Sequence, residues 1–115
     1  MKDLVNLNGD VVPGDKPVIT LDNRAYHYGD GLFESMRIVE GRASFLDAHW
    51  ARLTTGAALL RIKLPSNLDR DAFERYINEL VQRTGLLNAR CRFTLFRKGP
   101  GFYRPAEHEG GFTFE

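Results

Sequence analysis

The clearest alternation of apolar and polar positions lies in "LFESMRIVEG". In an extended chain it sets Phe33, Ser35, Arg37 and Val39 on one side and Leu32, Glu34, Met36 and Ile38 on the other. Both sides are mixed, which is unusual for a strand with one face in a core and one in water. A second alternation, "ARCRFTLFRKG", opposes Cys91, Phe93 and Leu95 to Arg90, Arg92 and Thr94, and predicts a half-exposed strand. Near the N-terminus Asn8-Gly9-Asp10 separates two short runs rich in branched residues, a hairpin pattern. "PVITL" predicts a third short strand, and "EGRASF" a further hairpin turning at Gly41. "FTFE" begins an alternation that stops at Glu115, as if the chain were cut from a longer one.

The period changes between these runs. Ser44 and Asp47 form a Ser-x-x-Asp box ahead of "FLDAHWARLTTGAALLRI", whose helix would carry Leu46, His49, Leu53 and Leu60 along one stripe. Gly56 weakens that helix by up to ~1 kcal/mol relative to alanine. After the breaker "KLPSN", Phe73, Ile77, Leu80 and Val81 mark a second amphipathic helix from about Asp69 to Thr84, with Gly85 as its stop. "GPGFYRPAEHEGG" is loop by composition. Strands, then helices, then another strand predict an α+β fold: a two-layer domain, mostly antiparallel sheet with two helices on one face.

Composition narrows the function. The chain has 115 residues, 43% of them hydrophobic and 27% charged, within the range of one globular domain. Sixteen basic against fifteen acidic side chains leave a net charge of +1, so no bulk field points to nucleic acid or an anionic membrane. Any anion site must be local. No apolar run approaches the ~20 residues of a spanning helix, and the N-terminus lacks a signal-peptide core, which leads us to expect a cytoplasmic protein. The single cysteine, Cys91, excludes an internal disulfide framework and reads as a buried, inert thiol. His27, His49 and His108 lie on separate elements without metal-ligand spacing, and neither a Gly-x-Ser-x-Gly elbow nor a phosphate-cradling glycine loop occurs. Arginines remain. Arg52 sits beside the apolar stripe of its helix, where it could cover apolar surface with its stem or offer a rigid fork to a phosphate. Arg37, Arg92 and Arg97, each taken alone, are ordinary strand residues.

Taken in order, these motifs are recognisable. "LDNRAYHYGDGLFESMRIVEGRASFLDAHWARL" resembles the N-terminal region of the class IV, or fold type IV, pyridoxal-phosphate enzymes, which include branched-chain and D-amino acid aminotransferases and aminodeoxychorismate lyases. The matching positions are Asn8-Gly9, Arg24, Tyr26, Tyr28 to Glu34, Gly41, and Leu46, His49, Arg52 and Leu53, with "RFTLFRKGPGFYRP" as the strand and loop that close the small domain. The resemblance implies that residues 1–115 are an N-terminal small domain capping a cofactor held mainly by a C-terminal domain absent from this chain. It implies that Arg52 binds the pyridoxal 5'-phosphate group and that Tyr28, Phe33 and Arg37 face the cofactor or substrate pocket. Arg92, or else Arg97, would meet a substrate carboxylate. It further implies an amino acid or 2-oxo acid as small-molecule partner and a homodimeric parent enzyme. The family's reactive lysine has no counterpart here, since Lys2, Lys16, Lys63 and Lys98 fall at none of its positions. This chain alone is therefore expected to be inactive. Aminodeoxychorismate lyase chemistry is the alternative within the family; outside it, the alternative is a non-enzymatic module that self-associates through an unpaired C-terminal strand.

Overall fold

Asn8 and Gly9 take left-handed backbone, φ 55° and 104°, and turn strand β1 (Leu4–Leu7) into β2 (Asp10–Pro13), as the Asn-Gly-Asp pattern predicts. The computed structural model describes residues 3–16, 19–99 and 107–115. Of the expected third strand, Ile19–Leu21 form no strand, while Pro17 and Val18 lie outside the described residues. A short helix, α1 (Arg24–Tyr28), stands instead within the polar stretch that follows. Next come β3 (Gly31–Val39) and its hairpin partner β4 (Arg42–Ala43), then α2 (Leu46–Leu60), α3 (Arg70–Thr84), β5 (Ala89–Arg97) and β6 (Gly110–Phe114).

The strands form one sheet in the order β2-β1-β6-β5-β3-β4, with every paired neighbour antiparallel. β6 lies inside it, between β1 and β5, with Phe114 opposite both Asn6 and Phe93. The strand that sequence left unpaired is thus a central strand, and the sheet's free edges are β2 and β4. That removes the open C-terminal edge on which the self-associating module rested.

The α+β expectation holds, with α2 and α3 covering one face of the sheet. Leu46, Leu53 and Ala57 of α2 and Phe73, Ile77 and Leu80 of α3 share a core with Met36, Ile38, Cys91, Phe93, Leu95, Phe112 and Phe114 from the strands. Phe73, Phe93, Phe112 and Phe114 are fully buried, with several edge-to-face contacts, such as Phe93 to Phe114 at 4.9 Å between centroids. Each contributes about 1.5–3 kcal/mol by leaving water.

The caps divide between expectation and correction. Asp69 accepts a hydrogen bond from the Ala72 amide at the start of α3, and left-handed Gly85 ends it. The Ser44–Asp47 box does not form; Phe45 is the N-cap of α2, left-handed at φ 57° and without a side-chain cap. Gly56 sits inside α2 because a Cβ there would come within 2.8 Å of Leu32 Cδ2. Helix α2 crosses β3 closely at that point.

Candidate functional site

Asn23 opens α1 by accepting from the Ala25 and Tyr26 amides, and Gly29 closes it at φ 67°. The chain then reverses into β3 through Asp30. A single carboxylate oxygen, Asp30 Oδ2, accepts from Arg24 Nε at 2.7 Å and from Arg97 Nε at 3.0 Å. Both arginines are buried, 3% and 6% exposed. Arg97 also donates to the Leu60 and Arg61 carbonyls at the end of α2 and contacts His108 Nδ1. Burial alone would raise the Asp30 carboxyl, but the hydrogen bonds and charges of the two arginines outweigh it and hold it below its ordinary value. The Gly-Asp-Gly turn is thus clamped to β5 and to the end of α2.

Glu34 is a second anchoring carboxylate and, unlike the half-buried Asp30, is buried at 5% exposure on the core side of β3. It accepts from His49 Nδ1 at 2.7 Å, and from Arg52 Nε at 3.0 Å and Nη2 at 2.8 Å. A carboxylate only accepts, so His49 presents Nδ1–H to it. Burial pushes the Glu34 carboxyl up, yet the hydrogen bonds from Arg52 and His49 prevail and it lies below its ordinary value. The Arg52 side chain is 71% exposed although its inner edge is anchored on a buried group. The spacing of His49 and Arg52 on α2 brings both to one point of β3.

The other face of β3 carries no helix residue of the core. Register places Phe33 beside Thr94, Ser35 beside Arg92 and Arg37 beside Arg90. The Arg92 guanidinium carbon lies 4.2 Å from the centroid of the Phe33 ring, which is 55% exposed. With Ala25, Gly29, Gly31, Leu32 and Thr94 these two line a concavity of about 240 Å3. Among the described residues, no carboxylate ion-pairs with Arg37, Arg90 or Arg92.

Of the residues singled out from sequence, Phe33 and Arg92 meet directly, and Arg37 shares their sheet face. Tyr28 stands at the end of α1, its ring 4.8 Å from the Arg24 guanidinium and edge-on to His27. Arg52 joins β3 from the helix side, and Arg97 is buried in the clamp around Asp30. Sequence reasoning passed over Asp30 and Glu34 as anchoring groups. For Glu34 a signal existed: a carboxylate at a core position of an alternating strand requires a partner. No group of three potential metal-ligating His, Cys, Asp or Glu side chains occurs among the described residues.

These features define a small α+β domain with an anchored, outward-facing arginine on one side and an arginine-lined sheet face on the other. Residues 31–114 match the family model for amino-transferase class IV, and the chain belongs to that family. Similar proteins include the D-alanine aminotransferase of Bacillus licheniformis, 37% identical over 93% of this chain and 36% of its own length. The bifunctional aminodeoxychorismate lyase / D-amino acid transaminase of Mycobacterium tuberculosis is 32% identical over 70% of this chain and 27% of its own length. Among solved structures, the branched-chain aminotransferase of Thermoproteus uzoniensis with norvaline superposes with a TM-score of 0.88 at 18% identity, covering all of this chain and 40% of that one. A hypothetical aminotransferase from Mycobacterium tuberculosis in its PLP-bound form gives 0.75 at 25% identity, over 96% of this chain and 38% of that one. The chain spans well under half the length of these relatives.

Proposed function

We propose that this chain is the N-terminal, substrate-capping part of a longer pyridoxal-phosphate-dependent aminotransferase that exchanges an amino group between an amino acid and a 2-oxo acid. The observation that carries the proposal is Arg52: a guanidinium fixed on a helix by a buried carboxylate, with its outer edge in solvent, fits a phosphate dianion. Pyridoxal phosphate, when bound, supplies the electron-withdrawing ring and carbonyl of amino-group chemistry. Arg52 binds its phosphate. Arg92, stacked on Phe33, presents its rim N–H groups to a substrate carboxylate, with Arg37 as a second cation on the same face. Tyr28 and Phe33 wall the substrate side and exclude water. Arg97, given the same role by resemblance, acts here through the turn it holds in place.

The bond to the cofactor needs a lysine beyond residue 115, and the short span of the chain on its relatives supports that division of labour. The parent enzyme is a cytoplasmic homodimer in this proposal, and residues 1–115 alone neither retain the cofactor nor turn over. The test is an intact-mass measurement on the product of the chain's own gene, after incubation with pyridoxal phosphate and borohydride reduction. A longer polypeptide with one pyridoxyl adduct outside residues 1–115 is the expected result. A product of 13.1 kDa without adduct overturns it. Likeness to a bifunctional lyase and transaminase motivates one further comparison, turnover of aminodeoxychorismate against amino acid and 2-oxo acid pairs.

A further inference from the structure

We infer that Glu34 is a positioning residue for phosphate recognition, holding Arg52 so that its end-on pair of N–H groups faces the phosphate. The inference rests on the phosphate role proposed above for Arg52. Glu34 takes the side edge of the guanidinium, Nε and Nη2. That leaves the outer edge, one N–H from Nη1 and one from Nη2, for a bidentate contact with a second anion. The two sides differ sharply in environment: Glu34 is buried with side-chain exposure of 6%, whereas the arginine it holds is 71% exposed.

An arginine at that exposure would ordinarily sample many rotamers. Here three features restrict it: the α2 backbone, the pairing of β3 with β5 along its length, and His49, whose Nδ1 also meets Glu34 Oε1 at 2.7 Å. His49 therefore aligns the carboxylate that aligns Arg52. Folding supplies the ordering that binding would otherwise have to supply.

Charge alone predicts the opposite effect of removing Glu34. Its carboxylate repels an incoming phosphate, so Glu34→Gln would strengthen binding if Coulomb interaction with Arg52's ligand dominated. The guanidinium's outer edge lies in solvent, which screens that repulsion, whereas the orientation it provides is unscreened. The sign of the effect therefore separates positioning from charge balance.

The experiment follows the Arg52 Nε–Hε resonance of the 115-residue chain by NMR, with inorganic phosphate titrated up to about 100 mM against sodium chloride of matched ionic strength. In the wild type the expected result is a heteronuclear NOE near that of the backbone and a saturable shift specific to phosphate. In folded Glu34→Gln and Glu34→Asp the NOE falls toward that of a mobile side chain and phosphate affinity drops about fivefold or more, with Asp closer to wild type. If the wild type shows an ordered Arg52 that ignores phosphate, the chain offers no prepositioned phosphate fork of its own and this inference is overturned, while the role of Arg52 in the complete enzyme is judged separately by cofactor retention in Arg52→Ala. If the wild type responds but folded Glu34→Gln binds as well or better, only the positioning role is overturned. Should neither variant fold, an Arg52 Nε as mobile in the wild type as that of exposed Arg83 overturns it without them.

Discussion

Asp30 offers the most direct test of how the Gly-Asp-Gly turn is held. One of its oxygens serves two buried guanidiniums, at 2.7 Å and 3.0 Å. Asp30→Ala removes the acceptor and the counter-charge together, leaving Arg24 and Arg97 facing each other with low solvent access. Breaking a buried pair by deleting one partner costs about 3–5 kcal/mol. Arg97 keeps its bonds to the Leu60 and Arg61 carbonyls, so the expected loss is at the lower end, about 3 kcal/mol. Asp30→Asn can place its carbonyl oxygen where Oδ2 stood, preserving both acceptances and removing only the charge. Its cost should therefore be clearly smaller than that of Asp30→Ala, since both hydrogen bonds remain and only the counter-charge is lost. The Asp30 carboxyl lies below its ordinary 3.8 in the fold. Its stabilisation is therefore fully present above pH 3.8 and is lost as pH falls through the lowered value. Urea denaturation of the three proteins at pH 7 and at several points below pH 4 reads both quantities. The difference between wild type and Asp30→Asn should shrink on acidification. A pH-independent difference, or a loss below about 1 kcal/mol for Asp30→Ala, would falsify the clamp as an ion-paired device.

Other residues give sharper single outcomes. Gly31→Ala places a Cβ 2.5 Å from the Leu95 carbonyl oxygen, a backbone atom that cannot rotate away, so it should destabilise by about 1–3 kcal/mol in the same assay. Phe45, exposed and left-handed at the N-cap of α2, should be replaceable by Asn with a gain of about 0.5–1 kcal/mol, and a loss of stability would show that its ring has a hidden contact. Cys91 is buried, and its thiol is pushed up to about 12, first by burial and then by the charge of Glu115. It should resist a thiol reagent at pH 8 in the native state and react at the rate of unfolding, whereas rapid native labelling would contradict its burial. In the complete enzyme, Arg52→Ala should weaken cofactor retention markedly, measured by dialysis and absorbance, and unchanged retention would remove Arg52 from the phosphate site.

Elements with an unambiguous period were legible in the chain before any fold. The alternation in β3 assigned each side chain from Leu32 to Val39 to its observed face, and Asp69 and Gly85 marked the ends of α3, because backbone geometry at these points depends on neighbours along the chain. Motif order carried the family, and with it the candidate residues. Packing settled the rest. β6 is central because Phe112 and Phe114 must reach the aromatic core between β1 and β5, a pairing of residues about a hundred positions apart that no local pattern encodes. The turn around Asn23 became a helix once Asn23 capped it and Asp30 tied Arg24 down. Asp30 and Glu34 became anchors only when the fold brought two nitrogen-bearing side chains to each, Arg24 and Arg97 to Asp30, and Arg52 with His49 from α2 to Glu34. A buried carboxylate announces in sequence that it needs a partner; which partner reaches it depends on how the elements come together.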